Sequence, residues 1–183
     1  MTGQPERRRV PSLPPGWRSW REIMGLALDQ ALQAGLQGET PVGAVVIGAD
    51  GTLLAKAHNR PIALADPTAH AEILAIRQAC QAQGNYRLTG ALLAVTLEPC
   101  LMCLGAMVHA RIAGLLFAAR DPKAGAAVSC LDAERLPFLN HRLAVLEGVL
   151  AEDCAGVLKR FFLERRAEGK RPAPGPAPKE EAG

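Results

Sequence analysis

A continuous apolar run at residues 91–97 is the feature that most constrains the fold of this chain. The run, ALLAVTL, is bounded by Gly90 and Pro99, and the lack of polar alternation is typical of a central strand that is buried on both faces. Residues 112–119, IAGLLFAA, have the same character. Since such strands need covering layers, we predict a sheet with helices packed against it.

Strand-like and helical segments alternate along the chain. Residues 42–48 are followed by Asp50 and Gly51, a strong turn signal, and by a second strand through about Ala57, which predicts an antiparallel hairpin. Apolar spacing and start and stop signals predict helices over residues 17–36, 69–83, 101–110 and 152–168. The 121–140 segment is rich in loop-forming residues. The alternation indicates an α/β fold with a mixed sheet.

The composition indicates one soluble domain with two unusual ends. The chain has 183 residues, 49% of them hydrophobic and 21% charged, and it contains neither a membrane-spanning apolar run nor a secretory signal pattern, so we expect a cytoplasmic protein. We predict a disordered basic arm rich in proline and arginine at residues 1–16, a folded domain at 17–169 and a disordered tail rich in proline and alanine at 170–183.

The charges are distributed unevenly. Residues 1–21 carry a net charge of +4 and residues 155–183 carry +3, whereas residues 22–154 carry −4. Basic ends on an acidic body fit an anionic partner such as a nucleic acid that extends beyond a central pocket. The alternative is that these charges belong to solvated tails.

Two cysteines, Cys100 and Cys103, are separated by two residues at a predicted helix start. This spacing allows both thiolates to bind one zinc ion, and the positive end of the helix dipole favours deprotonated sulfur. The sequence has no second pair of cysteines or histidines with the spacing of a structural zinc ribbon. A site with three protein ligands and one open position, as in catalytic zinc, is therefore expected.

His70 is the candidate third ligand, and Glu72 lies two residues after it. Residues two apart in a regular helix differ by about 200° in direction, but side chains in a first turn can converge beyond the helix end. A His-x-Glu followed by Pro-Cys-x-x-Cys is the signature of zinc nucleobase deaminases, in which the glutamate is a general acid and base. Taken singly, the cysteines could be a redox pair, and His70 or Glu72 a residue of the helix start.

Several longer motifs extend this signature over most of the chain, from about Trp17 to about Arg166. With them the chain resembles the bacterial tRNA-specific adenosine deaminases. The motifs are PVGAVV (41–46), HNRPI (58–62), DPTAHAE (66–72), NYRL (85–88), VTLEPCLMC (95–103), GAM (105–107), ARDPKAGAA (119–127) and NHR (140–142). The arm before Trp17 and the proline-rich tail have no counterpart in this resemblance.

The resemblance implies a fold, a cofactor and a set of site residues. The implied fold is a three-layer α/β/α sandwich around a five-stranded mixed sheet, of the cytidine deaminase type, assembled as a homodimer. One zinc ion per subunit would be held by His70, Cys100 and Cys103, Glu72 would transfer protons, and no organic cofactor is implied. Asn59 matches the position that contacts the target base, and three residues match loops that line the RNA cleft: Asp121, Lys123 and Asn140.

The last predicted helix suggests a further RNA contact. Cys154, Val157, Leu158 and Phe161 form a stripe that packs against a core, and Phe162 falls about 100° off it. Since Lys159 and Arg166 flank Phe162, a stacking platform between phosphate contacts is one interpretation, and a core or dimer contact is the other.

The predicted reaction is hydrolytic deamination of adenosine to inosine in RNA, at the wobble position of a tRNA anticodon loop by the resemblance. Two alternatives remain: a deaminase of a free nucleoside or nucleobase, such as cytidine or guanine, on the same fold, and a zinc-stabilised RNA-binding module without activity.

Overall fold

The structure, a computed structural model, describes residues 9–132 and 136–169. Within these residues five strands and five helices alternate. In chain order they are α1 (Trp20–Leu36), β1 (Gly43–Ile47), β2 (Leu53–His58), α2 (Pro61–Leu64), α3 (Ala71–Gln83), β3 (Leu92–Leu97), α4 (Leu101–His109), β4 (Gly114–Ala119), β5 (Ala144–Glu147) and α5 (Ala151–Gly169).

The strands form one mixed sheet in the order β2-β1-β3-β4-β5. β1 pairs antiparallel with both β2 and β3, whereas β3, β4 and β5 run parallel. The two apolar runs of the sequence are β3 and β4, which lie inside the sheet, and the predicted hairpin is β1–β2. The predictions of a mixed five-stranded sheet and of buried central strands are confirmed.

Each face of the sheet carries its own hydrophobic core. One core contains inward residues of α3 and α4, such as Ile76 and Met107, packed against Val46, Leu93 and Phe117. The other core lies under α1 and the start of α5 and contains Ile23, Met24, Leu116 and Cys154. The fold is therefore a three-layer α/β/α sandwich, as the resemblance implied.

Local signals account for most helix boundaries. α1 begins three residues later than predicted because Ser19 is its N-cap and accepts a hydrogen bond from the N–H of Glu22 at 3.3 Å. α3 ends at Gly84, which has a left-handed backbone (φ 60°). Among the described residues, no helix combines the length and apolar character needed to span a membrane.

Part of the N-terminal arm lies against the folded domain. Val145 donates its N–H to the carbonyl of Arg9 at 2.8 Å, while the N–H of Ala144 donates to Ala113 O, just before β4, at 2.9 Å. The arm therefore covers the outer edge of β5. Leu13 packs against the core under α1, and the indole Nε1 of Trp17 donates to Gly51 O at 2.8 Å. Residues 9–16 therefore lie against the domain in the structure, whereas residues 1–8 and the 170–183 tail lie outside the described part, and the division into arm, domain and tail stays a prediction.

Candidate active site

The start of α3 carries the predicted histidine and glutamate. His70 is the N-cap residue and has an extended backbone (φ −71°, ψ 152°), whereas Glu72 lies in the first turn. Because His70 is not helical, the 200° separation of a regular helix does not apply to this pair. Glu72 is 4% exposed, and an acidic side chain this deeply buried in a first turn is not a solvated dipole contact.

The start of α4 carries the two cysteines. Cys100 is the N-cap residue, also with an extended backbone (φ −74°, ψ 172°), and Cys103 lies in the first turn. N-cap and third helical positions face one another, as in a capping box. Cys103 is fully buried, and Cys100 is half-buried.

The three predicted ligands form a compact triangle. The two Sγ atoms are 3.7 Å apart, and Nδ1 of His70 lies 3.8 Å from Sγ of Cys100 and 3.6 Å from Sγ of Cys103. Tetrahedral zinc, with Zn–S about 2.3 Å and Zn–N about 2.0 Å, requires separations of about 3.8 Å between sulfurs and about 3.5 Å between sulfur and nitrogen. The donor set therefore fits a zinc ion. Among residues 9–132 and 136–169, this triangle is the group of three or more His, Cys, Asp or Glu side chains that lie close enough to share a metal ion.

Hydrogen bonds among His70, Cys100 and Cys103 shift the pKa values of all three side chains. Hydrogen bonds from Cys103 and His70 lower the pKa of the Cys100 thiol to about 3, whereas the contact with Cys100 raises the pKa of Cys103. The hydrogen bond to Cys100 also raises the pKa of His70. Burial raises the pKa of Glu72. A carboxyl group with a raised pKa is suited to accept a proton and to return it near neutral pH.

Asn59 lies beside the start of α3. It is 7% exposed, and its Oδ1 accepts the N–H of Ala71 at 2.8 Å. This bond orients the carboxamide, whose NH2 group then presents two donors. The main-chain N–H of Asn59 donates to Val42 O at 3.0 Å, which ties the residue to the start of β1.

The predicted cleft residues are separated in the structure. Asp121 begins the loop after β4, at the carboxyl end of the parallel strands, and its Oδ1 accepts the N–H of Lys123 at 2.9 Å. Asn140 instead accepts a hydrogen bond at Oδ1 from Arg111 at 2.9 Å. Arg111 precedes β4, so Asn140 lies at the opposite end of the strand from the triangle of His70, Cys100 and Cys103. Within one chain the structure does not bring Asn140 to the site, and its RNA contact stays a prediction.

The aromatic pair of α5 has the predicted difference in exposure. Phe162 is 45% exposed, and Lys159 and Arg166 are also exposed. Phe161 is only half-buried; it lines a groove of about 480 Å³ together with Leu36 of α1. Phe161 is therefore less buried than the predicted core position, and it lies at the groove between α1 and α5.

Two buried carboxylates near the candidate site, Glu39 and Glu98, were not predicted from the sequence. Glu39 is 2% exposed and accepts the N–H groups of Ile62 at 3.3 Å and Ala63 at 2.8 Å at the start of α2. Glu98, also 2% exposed, accepts hydrogen bonds from the loop that begins at Asp121. Burial opposes ionisation of Glu98, but the bonds from Ser129, Asp121 and Val128 outweigh it and lower its pKa. The only signal for Glu98 was an acid at the end of a buried strand.

Comparisons with known proteins agree with this geometry. Residues 18–119, more than half of the chain, match the family described as the cytidine and deoxycytidylate deaminase zinc-binding region. The tRNA-specific adenosine deaminase of Haemophilus influenzae is 45% identical over 149 residues, which cover 81% of this chain and 86% of that protein.

Two solved structures extend the comparison. A tRNA:A34 deaminase, studied for A-to-I editing at the wobble position of transfer RNA, matches with a TM-score of 0.73 and 45% identity over 75% of this chain and 99% of that chain. A guanine deaminase from Nitrosomonas europaea has a TM-score of 0.70 at 24% identity over 86% of this chain and 89% of that chain, and this likeness concerns the fold alone. The chain therefore belongs to the zinc-binding cytidine and deoxycytidylate deaminase family and, within it, to the tRNA-specific adenosine deaminases.

Proposed function

We propose that this protein converts adenosine to inosine in RNA, at the wobble position of a tRNA anticodon loop. The observation that carries the proposal is the triangle of His70, Cys100 and Cys103 with the buried carboxyl of Glu72 at the same helix end. The 45% identity to tRNA-specific adenosine deaminases over most of both chains supports the choice of substrate.

His70, Cys100 and Cys103 hold one zinc ion per chain in this proposal. When bound, zinc with an open position lowers the pKa of water to about 7 and so supplies hydroxide at neutral pH. Glu72 takes the proton of the attacking water and delivers it to N1 of the adenine ring as the oxygen adds to C6. The same carboxyl then transfers the proton of the new C6 hydroxyl to the exocyclic amino group, the C6–N6 bond breaks, and ammonia departs to give inosine.

The remaining site residues bind the substrate. The carboxamide of Asn59, oriented by its bond to Ala71, donates to the edge of the target base. C6 of a stacked adenine is not accessible, so the nucleotide must turn out of the loop, which a single-stranded anticodon loop allows. Asp121 and Lys123, with the exposed cations and aromatic ring of α5, then contact the flanking RNA.

Two alternatives give different outcomes in assays. A deaminase of a free base or nucleoside uses the same metal centre but gains nothing from the exposed Lys159, Phe162 and Arg166 of α5. An RNA-binding module without activity has no use for a buried Glu72, because the burial of a carboxyl group costs free energy that a purely structural role does not require.

The proposal extends to assembly and location. Leu101 and Met102 are 61% and 36% exposed at the start of α4, and a second copy of the chain that covers this apolar pair gives a homodimer. Light scattering of the wild type and of Leu101→Glu tests this assembly, and a monomeric wild type contradicts it. Because transfer RNA acts in translation, we place the reaction in the cytoplasm.

The decisive experiment compares the turnover of several substrates and the activity of the wild type with that of a Glu72 variant. The purified protein is incubated with an anticodon stem-loop, free adenosine, cytidine and guanine, and inosine, uridine, xanthine and ammonia are assayed. We expect inosine from the stem-loop only. Glu72→Gln should lower kcat at least about 100-fold, the usual contribution of a general acid–base group, with zinc retained. Glu152→Gln, in the exposed first turn of α5, is the matched control and should be fully active. Preferential turnover of a free base contradicts the proposal.

A further inference from the structure

Glu98 is a buried carboxylate that the proposed reaction does not use. It follows β3 directly, lies two residues before Cys100, and is 2% exposed. The main-chain N–H of Glu98 donates to Ala119 O at 2.8 Å, which continues the β3–β4 pairing. Burying a carboxylate is costly unless donors compensate it fully, so its partners indicate what it does.

The donors all come from the loop at residues 121–130. Oε1 of Glu98 accepts the N–H groups of Val128 at 2.7 Å and Ser129 at 2.8 Å. Oε2 accepts the N–H of Asp121 at 3.0 Å and the hydroxyl of Ser129. One carboxylate therefore holds both ends of the 121–130 loop, and a neutral side chain cannot accept four such bonds.

Gly125 shows how closely the loop is wrapped around this carboxylate. A Cβ atom at Gly125 would lie 2.3 Å from Cδ of Glu98 and 2.6 Å from Asp121 O, far inside van der Waals contact. The next residue, Ala126, donates its N–H to Pro99 O at 2.8 Å. The loop is thus joined both to the side chain of Glu98 and to the main chain next to Cys100.

We propose that Glu98 is a positioning residue that fixes the 121–130 loop against the turn carrying Cys100. Asp121 and Lys123 lie in this loop, so the carboxylate sets the distance between their RNA contacts and the adenosine pocket. The inference rests on the proposed function. It predicts that loss of the carboxylate weakens RNA binding while the metal centre stays intact.

Two substitutions disrupt the contact between Glu98 and the 121–130 loop, one in the carboxylate and one in the loop. Glu98→Gln keeps the shape but turns an NH2 group toward main-chain N–H donors, and Gly125→Ala pushes the loop away without removing a charge. Gly25→Ala, inside α1 with nothing within 4 Å of the added Cβ, is the matched control. For each variant, KM and kcat on the stem-loop, zinc content and hydrogen exchange without RNA are measured.

We expect faster exchange confined to residues 121–130 in both variants, with zinc retained. KM should rise at least about tenfold and kcat should change less than about threefold, because the lost interaction binds ground state and transition state alike. Unchanged loop exchange and KM in both variants overturn the proposal. Loss of zinc with faster exchange throughout the sheet also overturns it, since Glu98 then supports the whole fold. If the wild type fails to deaminate the stem-loop, the proposed function fails, while loop exchange still shows whether Glu98 holds the loop.

Discussion

Replacing Phe162 by alanine tests whether α5 contributes a stacking surface for RNA. The Phe162 ring is 45% exposed and contacts Phe161 edge to face, with ring centroids 5.4 Å apart at 76°. An exposed ring between Lys159 and Arg166 is available to a nucleotide. The ring of Phe161 is instead half-buried, lines the groove shared with α1, and is covered by Arg165, whose Cζ lies 5.7 Å from its centroid.

The expected magnitudes differ for binding and stability. Stacking of one base on an aromatic ring contributes about 1–3 kcal/mol, so Phe162→Ala should raise the Kd for the stem-loop about 5- to 150-fold. Truncation of a fully buried phenylalanine costs about 3–5 kcal/mol. Since Phe162 is nearly half exposed, its loss should lower the free energy of unfolding by only about 1–2 kcal/mol, and the half-buried Phe161 should cost about 2–3 kcal/mol by the same scaling.

The assay measures the Kd by fluorescence anisotropy and the free energy of unfolding by urea denaturation for both alanine variants. Phe161→Ala is the matched control because it removes the same ring one position along the helix. The expected pattern is weaker RNA binding with Phe162→Ala and lower stability with Phe161→Ala. If Phe161→Ala loses RNA but keeps its stability, while Phe162→Ala unfolds, the two rings have been assigned to the wrong roles.

Three further outcomes are expected. Cys103→Ser should lose zinc, measured by elemental analysis, and should lower the melting temperature, because metal binding at such a site contributes to folding; full zinc occupancy contradicts the ligand assignment. Lys159→Ala and Arg166→Ala should each reduce the slope of log Kd against log salt by about 0.7, the value for one phosphate contact to a single strand, and unchanged slopes exclude both contacts. Gly43→Ala should destabilise the fold by about 1–3 kcal/mol or more in urea denaturation, because its Cβ would lie 2.1 Å from Ala27 O of α1, and unchanged stability refutes this packing argument.

The grouping of His70, Cys100 and Cys103 was predictable because most of its geometry is encoded locally. Cys100 and Cys103 are N-cap and first-turn residues of one short helix, so their spacing alone brings the two sulfurs together. The position of His70 relative to Glu72 was less certain from the sequence, because it depends on where α3 begins. The structure starts the helix at Ala71, and that single boundary makes the pair compatible with one site.

Other features depend on contacts between distant segments. β5 has only four residues, and its place is determined by pairing with β4 and by the bond from Val145 to Arg9, neither of which leaves a periodic pattern in the sequence. The loop around Glu98 offers main-chain N–H groups, which every residue other than proline possesses. The sequence therefore indicates an acid at the end of a strand but not the donors that surround it.

The topology explains why the local signals meet at one point. α4 follows β3 directly, so both cysteines lie at the carboxyl end of β3. β1 is antiparallel to β3, with Ala44 opposite Val95, and the N–H of Gly43 donates to Oγ1 of Thr96 at 3.1 Å, so the start of β1 lies at that same end. The hairpin then returns the chain through His58, paired with Gly43, to Asn59 and the start of α3. The three candidate metal ligands and the carboxamide of Asn59 thus come together because β1 alone separates β2 from β3 in the sheet.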